Sequence, residues 1–291
     1  VACTLEASIA LVDCLSIRVT ERLPRVGRAP EFLAPSPDGR LLLASEKDGQ
    51  RLEVVDLDLG QTVSHIESPH LALPRAMLFS PDGARVYVLS QGGEALVEVH
   101  APSWKILRTL PLGRGGSADM CFSGDAGRLY VAHASGALSL VDLATWAVVA
   151  QADLSGPAGG VALTSDGRRL LVSMTGENLV RAHDPATLAV QGEVRTGQAP
   201  GVVALAPGNR QAVVINQVSN DVTVFDPRKM GRSWRIGVGV GPRRVAFAPD
   251  GRRAYVSNYN TDDLSVLDLE NYRQLGRLVV GRGPSGVAWI P

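Results

Sequence analysis

PRRVAFAPDGRRAYVSN at 242–258, followed by LSVLDL at 264–269 and QLGRLVVG at 274–281, decides the fold of this chain. Val245 and Phe247 recur at a spacing of two, the period of an extended strand with one apolar face. Pro249-Asp250-Gly251 then reads as a turn: proline presets φ for the first turn position, and glycine accepts the positive φ that closes it. RRAYVSN is a second strand, rich in aromatic and β-branched residues. The polar loop Tyr259–Asp263 leads to a third strand, Asp268 is placed to cap the turn that follows, and QLGRLVVG makes a fourth.

The same unit recurs along the whole chain. Its starts are Pro30, Pro74, Ser117, Ala158, Pro200, Pro242 and Pro284, roughly 42 residues apart. S-P-D-G returns at 36–39 and 80–83, T-S-D-G at 164–167 and a looser G-D-A-G at 124–127. The capping aspartate returns as Asp13, Asp56, Asp142, Asp184 and Asp226, with His100 in its place once. Helical periodicity is not sustained beyond a turn anywhere. A period near 42 filled with strands predicts a seven-bladed β-propeller of four-stranded antiparallel blades, an all-β domain covering residues 1–291. Aligning Val12-Asp13-Cys14 with Leu267-Asp268-Leu269 sets Val1-Ala2-Cys3 on Val256-Ser257-Asn258. One blade is therefore expected to combine N-terminal strands with an innermost strand from Pro284 to Ile290, latching the ring and hiding two sheet edges.

Composition narrows the function classes. The 29 Lys and Arg balance 29 Asp and Glu, which argues against a broad electrostatic footprint for nucleic acid or anionic lipid. No apolar run reaches the ~18 residues of a membrane span. Cys3, Cys14 and Cys121 form no C-x-x-C or C-x-x-C-H, so neither c-type haem attachment nor a disulfide framework is expected. The P-loop, G-x-S-x-G, H-E-x-x-H and Rossmann fingerprints are absent.

Tyr255-Val256-Ser257-Asn258 resembles the defining quartet of the YVTN-repeat β-propellers. Degenerate copies stand at Leu42–Ser45, Tyr87–Ser90, Tyr130–His133, Leu171–Met174 and Val213–Asn216, so the resemblance runs the length of the chain. It implies fold more than function. Relatives include surface-layer proteins, periplasmic binding proteins, lactonase-type propellers, subunits of quinone-cofactor amine dehydrogenases and haem d1-binding domains. Family habit favours export to the periplasm or beyond.

In such a ring the two residues after each start approach the mouth of the central channel. Glu31, Arg75, Asp119, Arg243, Arg244 and Ser285 are the polar members of those pairs, while blades five and six offer only small or apolar groups, leaving one side open. Arginine forks pair bidentately with carboxylate or phosphate, so the mouth reads as a site for a small anionic ligand. The other reading is that the charges neutralise one another around a solvated channel. His70, His133 and Asp119 could bind a divalent metal if their loops meet; otherwise the histidines are exposed or singly hydrogen-bonded. The loop of Asn258, Asn260, Asp262 and Asp263, with Asn216, Asn220 and Asp221, suits either Ca²⁺ or tight turns. Trp104, Trp146, Trp234 and Trp289 read as packing or rim residues with no second aromatic beside them.

The sequence thus points to a monomeric, non-enzymatic binding or scaffold propeller that presents its top face to a protein partner or small anionic ligand. No cofactor is required by the sequence. The alternatives are a lactone-type hydrolase at the channel mouth and an accessory role in a haem d1 or quinone pathway.

Overall fold

The computed structural model describes residues 1–290. Its strands form seven antiparallel sheets: six have four strands in sequence order, and the first has three. The predicted all-β, seven-bladed ring is what forms. Blade 1 holds β1 (Ala2–Cys3), β2 (Ser8–Asp13) and β3 (Arg18–Pro24). Blades 2 to 7 begin with the inner strands Pro30–Pro35, Pro74–Phe79, Ser117–Phe122, Ala158–Leu163, Pro200–Leu205 and Pro242–Phe247.

Burial follows position in the blade rather than simple alternation. Leu170–Met174 and Asp221–Phe225, second and third strands, are buried throughout, whereas the outer strand Arg273–Val279 faces solvent along most of its length. The reason is that each sheet is covered on both faces by neighbouring blades. Phe32, Leu43 and Val54 of blade 2 pack on Met77, Val86 and Val97 of blade 3, and Val213 and Val224 of blade 6 pack on Ala254 and Leu267 of blade 7. The core is thus a circle of interblade layers, each fully buried Val or Leu contributing about 1.5–3 kcal/mol.

The repeated turns behave as their residues dictate. Asp13 accepts from the backbone N–H of Leu15 and Ser16, Asp142 from Ala144 and Thr145, and Asp268 from Glu270 and Asn271. Four positions after each cap the backbone is left-handed: Ile17, Gly60, Trp104, Trp146, Leu188, Met230 and Tyr272 all have φ between 49° and 65°. One turn corrects the expected frame. In blade 4 the hairpin is closed by Ser123 and Asp125 with Ala126 left-handed at φ 55°, so the equivalent of S-P-D-G is Ser123–Ala126, one residue earlier than the glycines suggest.

Two other expectations change. Trp234 lies flat on Tyr272, ring centroids 4.1 Å apart, and Trp146 sits 6.4 Å from Tyr87 with the Arg108 guanidinium 4.2 Å from its ring, so these tryptophans do have aromatic neighbours. The inner strand expected over Pro284–Ile290 is reduced to a single bridge between Cys3 and Pro284. Ala2 N–H donates to the Gly286 carbonyl at 2.8 Å and Ser285 N–H to the Ala2 carbonyl at 2.9 Å, which brings the two ends together. No further ladder is formed over Val287–Ile290 among the described residues. The three cysteines are free. Among the described residues no helix is long and apolar enough to cross a membrane.

Candidate functional site at the channel mouth

Each complete blade breaks its inner ladder at the mouth. The register shifts between Pro30 and Leu33, Pro74 and Ala76, Ser117 and Asp119, Ala158 and Gly160, Pro200 and Val203, and Pro242 and Val245. A bulge frees residues from strict alternation and re-aims their side chains. The backbone N–H groups freed by it find side chains: Phe32 donates to Ser45 Oγ and Arg244 to Ser257 Oγ, both at 3.1 Å. Ser45 and Ser257 both belong to the second strand, at matching positions in their repeats, a supporting role the sequence reading missed.

The bulges gather most of the expected residues. Glu31, Phe32, Arg75, Arg243, Arg244 and Ser285 line one cavity of about 40 Å³, together with Gln217. Gln217 directly follows the quartet Val213–Asn216. Pro30 pairs with Glu46 as Pro242 pairs with Asn258, so the blade 2 quartet is Leu43–Glu46, one residue later than expected; Lys47 and Tyr259 then hold the place of Gln217, directly after the quartet, in blades 2 and 7. The side expected to be open is narrowed instead. A Cβ on Gly160 would lie 2.8 Å from the Gly201 carbonyl, and one on Gly201 would lie 3.2 Å from Gln217 Nε2. Glycine there lets two inner strands approach until backbone meets backbone.

The electrostatics separate the two readings of the mouth. Arg75 and Arg244 approach the ring of Phe32, at 5.3 and 4.6 Å, while Arg243 and Lys47 approach Tyr259 at 5.0 and 5.7 Å. Among the described residues, none of these four cations has a carboxylate within 4.0 Å, and Arg75 Nε is buried without any hydrogen-bond partner. Cation–π contact supplies about 0.5–2 kcal/mol each and leaves the guanidinium N–H groups unspent. Burial pushes Arg244 below its ordinary value, against the opposing pull of Asp119.

Asp119 is placed differently from the cavity residues. Its carboxylate accepts from the N–H of Met120 at 3.0 Å and of Val161 at 3.4 Å. Burial pushes its pKa up, and the nearby charges of Arg244 and Arg75 only partly offset that. Ser285 Oγ is already engaged, with Thr4 Oγ1 at 2.6 Å and the Glu31 carbonyl at 3.0 Å, so it clamps the junction of the chain ends rather than presenting a free hydroxyl.

The histidine constellation is not assembled. His70 is exposed in a short turn at 69–71, its backbone N–H donating to Ser68 Oγ. His133 is wholly buried in blade 4, its Nε2 3.0 Å from Ser139 Oγ, and burial pushes its pKa down to about 4. Among the described residues no cluster of three or more His, Cys, Asp or Glu is arranged to hold a metal. The Asn-rich loops serve the fold: Asn258 Nδ2 donates to Asp263 and Ser265, and Asn216 Nδ2 to Asp221 and Thr223, at 2.6–2.9 Å. Cys121 is half-buried near Asp119, and desolvation pushes its thiol pKa upward, which suits packing rather than reactivity.

No protein-family model matches this chain, and no curated protein matches it. Solved structures match in 1877 chains, too many for the fold to single out a function. One is a chain from Kuenenia stuttgartiensis hydrazine synthase, with a TM-score of 0.80 over 90% of each chain at 19% identity. A likeness at that identity shows the shared fold alone.

Proposed function

We propose that this protein is a binding propeller of the YVTN-repeat type, exported and monomeric, whose channel mouth captures a carboxylate- or phosphate-bearing group from a small ligand. The observation that carries the reading is the set of Arg75, Arg243 and Arg244, gathered at one cavity with no carboxylate partner within 4.0 Å among the described residues. Arg75 Nε is buried without a partner and Arg244 is half-buried, while Arg243 is exposed beside them; an incoming carboxylate or phosphate gives these groups charge-assisted bonds. A rigid ring also loses little freedom on binding.

Catalysis draws less support. A lactone-type hydrolase would use a His near Glu31 and the arginines, yet His133 is enclosed in its sheet and His70 is on an exposed turn. A redox-pathway accessory role, implied by the haem d1 and quinone relatives of the YVTN-repeat type, has beside it only the fold shared with a hydrazine synthase chain.

A thermal-shift panel of small mono-, di- and tricarboxylates and phosphates tests the reading. The expected result is stabilisation by at least one dianion in the wild type and none in Arg75→Ala/Arg244→Ala. Equal shifts in both proteins would remove the mouth from the account. Turnover of a lactone abolished by Glu31→Ala would replace binding with hydrolysis.

A further inference from the structure

The cations of the mouth stand at two levels. Arg75 and Arg244, both half-buried, approach the Phe32 ring and wall the cavity of about 40 Å³. Lys47 and Arg243, both exposed, approach the Tyr259 ring, and neither Lys47 nor Tyr259 is a wall of that cavity. Arg243 does wall it, so this one side chain joins the two levels. The backbone ties them as well. Lys47 N–H donates to the Ala29 carbonyl at 2.8 Å, beside the inner strand that carries Glu31 and Phe32, and Tyr259 N–H donates to the Gly241 carbonyl at 2.9 Å, just before Pro242 and Arg243.

Volume and charge limit what the inner level takes. Such a cavity has room for about three water molecules, hence for one carboxylate group and its first carbon. Arg75, Arg243 and Arg244 bring three positive charges, and Glu31 and Asp119, which both act on Arg244, bring two negative ones when ionised; the difference is one. A phosphate dianion exceeds that charge, whereas a carboxylate matches it. At the outer level Lys47 adds one more positive charge. Its neighbour Glu46 is engaged by the Arg28 N–H at 2.9 Å, and among the described residues no carboxylate lies within 4.0 Å of the Lys47 ammonium.

We propose that the mouth holds two anion subsites in series and that its ligand is a short dicarboxylate, one carboxylate taken by Arg75 and Arg244 beside Phe32 and the other by Arg243 and Lys47 beside Tyr259. This rests on the anion-binding reading of the mouth and adds a second subsite and a spacing to it. Arg243 and Arg244 are consecutive, with Cα atoms about 3.8 Å apart, so a spacer of a few carbons joins the two subsites. A ligand already held at the inner level reaches the outer one without a second loss of translational freedom.

The test measures Kd by ligand-observed NMR for the α,ω-dicarboxylates from malonate to pimelate, for the monomethyl ester of each, and for the matching α,ω-bisphosphonates. In the wild type, affinity is expected to peak at one spacer length and to exceed that of the monoester about tenfold or more, the worth of one charge-assisted contact. Lys47→Ala should remove that margin while shifting the monoester by about twofold or less, and Lys47→Arg should restore it. Arg75→Ala/Arg244→Ala should lose both ligands. Affinity that is flat with spacer length, or a margin that survives in Lys47→Ala, overturns the second subsite and leaves the first standing. Equal or tighter binding of the bisphosphonate overturns the dicarboxylate assignment. Binding of neither diacid nor monoester to the wild type overturns the anion reading of the mouth and this proposal together.

Discussion

The outer edge of blade 3 and the mouth of the channel use the same residue types to opposite ends. On the outer edge Glu98, 1% exposed, is gripped by Arg85 at 2.7 Å and by Arg108, which also donates to the Leu143 carbonyl. Burial pushes Glu98 up, but the hydrogen bonds from Arg108 and Arg85 outweigh it and hold the carboxyl below its ordinary value. At the mouth, Arg75 and Arg244 lie against Phe32 with no such partner, and Asp119 moves the other way, pushed up by burial. One cluster has closed its own electrostatic account within the fold; the other is left for something to complete. On that difference rests the proposal that the mouth is a binding site and the Glu98 cluster a structural ion pair.

The largest effect should come from breaking the closed cluster. Arg85→Ala/Arg108→Ala leaves the Glu98 carboxylate buried with only the Tyr87 hydroxyl at 3.3 Å. A loss of about 3–5 kcal/mol is expected, read by chemical denaturation. Arg75→Ala/Arg244→Ala should lose less than about 1 kcal/mol, because it removes half-buried cations held only by cation–π contact with Phe32 and by attraction to Asp119 and Glu31 without an ion pair. Similar losses in the two double variants would erase the contrast.

Binding comes next in size. Arg244→Ala should weaken a bound dianion by about tenfold to a hundredfold, the range of one charge-assisted hydrogen bond of about 1.5–3 kcal/mol. The pH dependences should then differ in sign. Glu98 has a depressed folded pKa, so its stabilisation is present above its unfolded value and lost as pH falls through the folded one. Asp119 has a raised folded pKa, so its protonated form favours the fold, and that contribution fades as pH rises through the folded value. Anion affinity should accordingly increase as pH falls through the Asp119 transition. Asp119→Asn should tighten binding a few-fold and flatten that profile, as titration calorimetry across pH would report. Gln217→Ala, which removes one polar wall without charge, should change affinity by about threefold or less.

Much of this was legible in the chain. The period near 42, the S-P-D-G turns and the capping aspartates fixed seven sheets and put Glu31, Arg75, Arg243 and Arg244 at one mouth, because strand period and turn chemistry are local properties. What sequence could not supply was partnering. Whether Arg75 meets Asp119 or Phe32 depends on bulges between Pro74 and Ala76 and between Ser117 and Asp119, which alternation alone does not show. The open side failed for a similar reason. Gly159, Gly160 and Gly201 read as missing side chains, yet the lack of Cβ atoms draws the strands together. His133 looked like a strand-end ligand because its quartet position sits at the top of the blade, whereas the ring turns inward to Ser139. The Trp234–Tyr272 stack joins residues 38 apart on neighbouring blades, beyond the reach of any local pattern.

The most direct trial of the unpartnered mouth is a calorimetric titration of citrate into the wild type and Arg75→Ala/Arg244→Ala, side by side at low salt. Saturable heat in the first protein and none in the second is the predicted outcome. Heat of the same size and affinity in both would place the anion elsewhere and contradict the central claim.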